Sequence, residues 1–255
     1  MKTFLNSKKP IITVILSQVD ATNIIDEIRR SIEQGADAFC FQLERLKREY
    51  RDEDTIKKIF FEMRDKLVYA TNYPSDVNEE LGLPDGLIAE QLLKMAEYGA
   101  CLVDVRGDMF SHCSAEITMN NDAICKQKEL IDKIHNLGSD VLISSHVKDD
   151  EGNFKFLPTE AVVAIAKEQI RRGADIAKIV INADNIDELK ENIFTSAFLN
   201  KLNIPGLFLC NGSFCHKHRR IAPLIQGGIF LTREDSYKGQ PQPTISEARK
   251  ILENF

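Results

Sequence analysis

Several familiar signatures are missing from this sequence, and each absence removes a class of protein. The start, Met1-Lys2-Thr3-Phe4-Leu5, gives way to polar residues and two lysines before Pro10, without the apolar run of a secretory signal. No apolar stretch approaches the roughly 18 residues that a membrane-spanning helix needs. Together these predict a cytoplasmic protein with no membrane partner. Lys and Arg number 33 against 39 Asp and Glu, a net charge of -6, and they are scattered. A nucleic-acid-binding surface would gather them into a stripe, so a small molecule is the expected partner. The six cysteines form no C-x-x-C pair and are expected to be small buried hydrophobes in a reducing compartment. Neither G-x-G-x-x-G nor a Walker sequence is present, which argues against a doubly wound nucleotide-binding sheet.

What is present is a repeating phrase: a helical stretch, a glycine, a small residue, then a short apolar run. It reads Gly35-Ala36-Asp37, Gly99-Ala100-Cys101, Gly138-Ser139-Asp140 and Gly173-Ala174-Asp175. Glycine supplies the left-handed conformation that ends a helix, and a brief apolar run bounded this way reads as a buried parallel strand. Eight such runs are expected, at 11–16, 38–43, 67–71, 102–105, 141–144, 176–181, 207–210 and 228–231. Between most of them apolar residues recur at helical spacing, as in Ile24, Ile28 and Ile32. Thr244-Ile245-Ser246-Glu247 announces the last helix as a capping box. Eight strands alternating with helices in 255 residues predict one (β/α)8 TIM barrel domain spanning 1–255. Its active site is expected at the C-terminal ends of the strands.

Two residues at those places carry chemistry. Lys178 interrupts the apolar run Ile176-Ala177-Lys178-Ile179-Val180-Ile181. Burying a lysine there is costly when charged, and the neutral amine that burial favours attacks carbonyl groups. The plainer alternatives are a lysine pointing outward or one paired to a carboxylate. His146 ends the neighbouring fifth strand, where it could serve as general acid and base; alone it would be an ordinary loop histidine.

Ser144-Ser145-His146, Gly173-Ala174-Asp175-Ile176-Ala177-Lys178-Ile179, Arg220 and Ser236-Tyr237-Lys238-Gly239-Gln240, in this order, resemble type I 3-dehydroquinate dehydratase, a shikimate-pathway enzyme of aromatic amino acid biosynthesis. The resemblance implies a metal-free and cofactor-free lyase, catalytic roles for Lys178 and His146, and a homodimer. Lys178 would form an imine with a cyclic hydroxy-keto acid while His146 moves protons for the loss of water. Arg220, Ser236 and Gln240 would bind the substrate, with the Ser236 loop closing over it.

The chain departs from that pattern at four polar positions. The family's Glu-x-Arg-x-Asp on strand two falls on Cys40-Phe41-Gln42-Leu43-Glu44, an arginine after strand three on Asn72, and a strand-four glutamate on Arg106. Arg106 is expected to take over anion binding, with Glu44 replacing the histidine's carboxylate partner; Gln42 and Asn72 complete the expected substrate-binding set. Arg106 could instead pair with Asp104 or Asp108. Cys210, Cys215, His216 and His218 cluster after strand seven in a spacing that matches no common zinc site, so no metal is expected. An aldolase-like enzyme acting on another carbonyl acid and a silent metabolite-binding relative are the alternatives.

Overall fold

The alternating pattern closes into a barrel in the computed structural model of the chain, which describes all residues except 1, 2, 6, 8 and 240. Its strands are β1 (Ile11–Ile15), β2 (Ala38–Gln42), β3 (Leu67–Thr71), β4 (Leu102–Arg106), β5 (Asp140–His146), β6 (Ile176–Asn182), β7 (Gly206–Asn211) and β8 (Ile229–Thr232). The helices are α1 (Ala21–Glu33), α2 (Glu53–Glu62), α3 (Asp76–Glu80), α4 (Asp85–Glu97), α5 (Asn121–Asn136), α6 (Thr159–Arg171), α7 (Ile186–Lys201), α8 (Cys215–Gln226) and α9 (Ile245–Glu253). Parallel pairing runs β8-β1-β2-β3-β4-β5-β6-β7. The ring is a (β/α)8 barrel, nearly closed; among the described residues no ladder joins β7 to β8.

Local chemistry explains these elements. Gly35, Gly99, Gly138 and Gly173 all take positive φ where their helices end, and Thr244 and Glu247 make both bonds of the capping box. One segment differs from expectation. The basic stretch after β7, which shows no apolar helical spacing, is the helix α8, whose buried face is Cys215, His218, Arg219, Ala222 and Pro223. Charge on that buried face and a proline within the helix hide its amphipathic period.

Alternation along each strand divides the core. Val14, Phe39, Val103 and Ile143 face the helices. Ala38, Cys40, Tyr69, Leu102, Leu142, Ile176 and Val180 fill the barrel. Asp104 follows Leu102 by two residues and Lys178 lies between Ile176 and Val180, so both occupy inward positions otherwise filled by hydrocarbon. The cysteines divide as well: Cys40, Cys210 and Cys215 are buried as expected, but Cys113 and Cys125 are exposed. No helix, among the described residues, is long and apolar enough to cross a membrane.

Candidate active site

Lys178 lies on β6 at the floor of a cavity of about 400 Å³ at the C-terminal mouth of the barrel. Its Nζ donates to Asp104 Oδ2 at 3.1 Å, to the Tyr69 hydroxyl at 3.1 Å and to the Tyr73 hydroxyl at 2.6 Å. An ammonium has three protons, and here each has an acceptor. Both phenols also donate to Asp104 Oδ2. Burial, then the charge of Asp104, pushes each phenol well above its ordinary pKa, so they remain donors at physiological pH. Lys178 is thus inward and paired to a carboxylate at once.

His146 ends β5, two residues beyond Ser144, which stands opposite Lys178 in the ladder. Its partner is Glu116, from the loop between β4 and α5. Glu116 Oε2 accepts from the ring Nδ1 at 2.8 Å and from the backbone N–H of His146 at 2.9 Å. Burial raises the Glu116 carboxyl, but the bonds and charge of His146 outweigh it and leave its pKa below the ordinary value. Glu116 is therefore a carboxylate and Nδ1 donates to it, which turns Nε2 away from Glu116. Glu44, expected in this role, lies on the far side of two intervening strands and accepts from Thr71 Oγ1 at 2.9 and 3.0 Å.

The loop that delivers Glu116 is held from several sides. Gly107 N donates to Ser144 O at 2.8 Å, and a Cβ on Gly107 would come within 2.4 Å of Glu116 O, so only glycine fits. The buried Arg172 guanidinium donates to Gly107 O at 2.9 Å and to Thr118 O. Glu116 itself adopts φ 44°, an uncommon left-handed conformation for a residue with a side chain. Arg106 belongs to this scaffold. Its Nε donates to Asp108 at 3.0 Å and its Nη2 lies 4.0 Å from Asp85, and it does not line the cavity. Two nearby carboxylates meet the charge of this residue, which the sequence led one to expect at the substrate anion.

Of the other expected substrate-binding residues, Gln42 lines the cavity. Asn72 is buried away from it, bonded to Gln91 and Asn78. Ser236 turns to Glu234, and Gln240 falls outside the described residues. Arg220 reaches Glu247 of α9 at 2.9 Å, and it is the preceding Arg219 that enters the cavity. One residue along a helix is a turn of about 100°, which decides which arginine faces inward. Arg219 is anchored through Cys210 O at 2.9 Å and Asn211 Oδ1 at 2.6 Å, with no carboxylate paired to it among the described residues. Gln242 also lines the cavity, and its Oε1 is buried without a partner among the described residues.

Sequence reasoning missed Asp104, Tyr69, Tyr73, Glu116, Arg219 and Gln242. Asp104 had a signal, since an acid at an inward position of an apolar strand is as costly as the lysine. Glu116 had none, because its partnership depends on how a loop folds back. The β1–β2–β8 wall of the cavity is neutral: Ile15, Cys40, Gln42 and Leu231. Burial pushes the Cys40 thiol far up, so it stays protonated. Among the described residues no three His, Cys, Asp or Glu side chains meet as a metal site.

A model of the type I 3-dehydroquinase family matches residues 12–255. No curated protein matches in sequence. In structure the chain resembles type I 3-dehydroquinate dehydratase from Clostridium difficile, determined with covalent modified comenic acid, at TM-score 0.77 and 15% identity, covering 97% of this chain and 93% of that one. The 3-dehydroquinate dehydratase of Geobacillus kaustophilus gives TM-score 0.77 at 15% identity, covering 97% and 91%. That of Enterococcus faecalis gives 0.75 at 16%, covering 98% and 95%. At such identities the likeness carries the fold.

Proposed function

The chain belongs to the type I 3-dehydroquinase family of Schiff-base hydro-lyases, and on that premise we propose that Lys178 forms the imine and His146 moves the protons. The substrate is 3-dehydroquinate or a similar cyclic hydroxy-keto acid. The observation that carries the reading is a buried lysine at the floor of a cavity whose wall holds a histidine bonded through Nδ1 to a carboxylate.

The neutral amine of Lys178 adds to the ketone, and loss of water leaves a protonated imine. That cation draws electrons from the adjacent carbon and acidifies its C–H bond. His146 Nε2 takes the proton, the C–H electron pair becomes a C=C bond, and the iminium π pair moves to nitrogen. As the pair returns, the hydroxyl on the next carbon leaves with the proton that His146 gives back. Arg219 offers a guanidinium to the substrate carboxylate, and Gln242 Oε1 an acceptor to a hydroxyl. In this reading the enzyme works in the cytoplasm on a small molecule, without nucleic-acid or membrane partners, as a homodimer. The aldolase-like and silent-binding alternatives are not favoured, because the family match extends over nearly the whole chain.

Borohydride reduction in the presence of 3-dehydroquinate, followed by mass spectrometry, tests this. An adduct is expected on Lys178 and is expected to vanish in Lys178→Met. Because that variant leaves Asp104 buried without its cation, at a cost of about 3–5 kcal/mol, its melting transition must show that it is folded. No adduct with wild-type protein, or one on another lysine, overturns the reading.

A further inference from the structure

If Lys178 forms the imine, its resting state poses a problem. All three of its ammonium protons are engaged, and an ammonium cannot attack a carbonyl. His146 is not among the groups bonded to Nζ. Something other than the histidine must take the proton from Lys178.

We propose that Asp104 and Tyr73 form a proton relay, with Tyr73 as a further catalytic residue, that frees the Lys178 amine and then carries the departing oxygen of the carbonyl out as water. The inference rests on the assignment of Lys178 as the imine lysine. Four observations place the relay. Asp104 Oδ2 lies 3.1 Å from Nζ, and the other oxygen, Oδ1, is buried with no partner among the described residues, leaving this carboxylate room for a proton. The Tyr73 hydroxyl, at 2.6 Å, is the nearest of the three acceptors to Nζ. It also touches Asp104 Oδ2 and, at 3.0 Å, Ser144 Oγ. Tyr73 lines the cavity, and its ring meets that of His146 edge to face at 5.1 Å between centroids.

The two tyrosines differ in what they can do. Tyr69 lies within β3 and is 1% exposed. Tyr73 follows that strand, in the connection to α3. A substrate carbonyl approaching Nζ must therefore displace the Tyr73 hydroxyl or bond to it, while Tyr69 and Asp104 stay fixed on their strands. Bonding is the productive outcome, because the phenol then donates to the carbonyl oxygen.

The protons balance. The ammonium gives one to Asp104, leaving a neutral amine beside a neutral acid. The amine nitrogen bonds to the carbonyl carbon, the C=O π pair goes to oxygen, and a second nitrogen proton passes through the Tyr73 hydroxyl to that oxygen. Asp104 then returns the first proton through Tyr73, the C–O bond breaks, and water leaves. The nitrogen lone pair forms the C=N bond, and the third proton remains on the iminium. Tyr73 ends as a phenol and Asp104 as a carboxylate, and no further reactant is needed. His146 is left for the later steps on carbon.

The test measures how fast the imine forms. Wild-type protein and Tyr73→Phe are mixed with 3-dehydroquinate, quenched with borohydride at increasing times, and the Lys178 adduct is quantified by mass spectrometry in H₂O and D₂O. Tyr73→Phe keeps the ring against His146 and should still yield the adduct, but on the order of 100-fold more slowly, and without the wild-type solvent isotope effect. Asp104→Asn, where its melting transition shows it folded, should be slowed comparably. Imine formation by Tyr73→Phe at the wild-type rate overturns the relay. So does slowing with an unchanged isotope effect, which marks a structural role. Absence of any adduct in wild-type protein is a different result, since it removes the imine assignment and the relay with it.

Discussion

The two sides of the cavity are built on opposite principles. Across β3 to β6, Tyr69, Tyr73, Asp104, Ser144 and Lys178 form one hydrogen-bonded cluster, with Glu116 and His146 beside it. Across β8, β1 and β2 the wall is Leu231, Ile15, Cys40 and Gln42, without a charge. A buried charge is tolerated only when paired and hydrogen-bonded, so the charged side must be fully connected whereas the neutral side need only fit. In the proposed function, proton chemistry falls to the first and the second is left to fit the substrate. Arg219, entering from α8 between β7 and β8, supplies a cation that no carboxylate among the described residues neutralises.

The largest effect that sharpens this contrast concerns the carboxylate of the substrate. Arg219→Met should raise KM about 10- to 100-fold, the worth of a charge-assisted hydrogen bond, whereas Arg220→Met, which loses contacts with Glu247, His216 O and Pro241 O, should leave KM unchanged. The reverse ranking in steady-state kinetics would return the assignment to Arg220. Glu116→Gln should lower kcat about 10-fold, the lower end for a partner that orients a reactive imidazole, with little change in KM. An unchanged kcat would mean that His146 needs no carboxylate.

The last effect is read in stability rather than in kinetics and lies behind the neutral wall. Burial raises the Glu44 carboxyl from 4.5 to about 7, against the hydrogen bonds that lower it. The folded chain thus keeps a proton that the unfolded chain has already released. This group's contribution is fully present below about pH 4.5 and is lost as pH rises through 7, by roughly 3 kcal/mol. Denaturant titrations between pH 5 and 8 should show that loss in wild-type protein and not in Glu44→Gln. Parallel pH slopes would show that Glu44 is already ionised in the fold.

Strands, glycine-capped helices and the Thr244 cap were legible because they depend on neighbours two to four residues apart. Each of the eight strands lies within two residues of its expected ends. Lys178 and His146 were legible for the same reason: a charge inside an apolar strand and a histidine at its end are local anomalies. The amino-acid sequence by itself determined the barrel, the lysine within an apolar strand and the resemblance to a family of Schiff-base lyases. Tertiary structure alone decided what surrounds that lysine. The phase of α8 brought Arg219 rather than Arg220 to the cavity, and Asp85 and Asp108 drew Arg106 away from it. The closure of a loop on Gly107 gave His146 a carboxylate from 30 residues away. These outcomes depend on distances between segments remote in the chain, which no local period encodes.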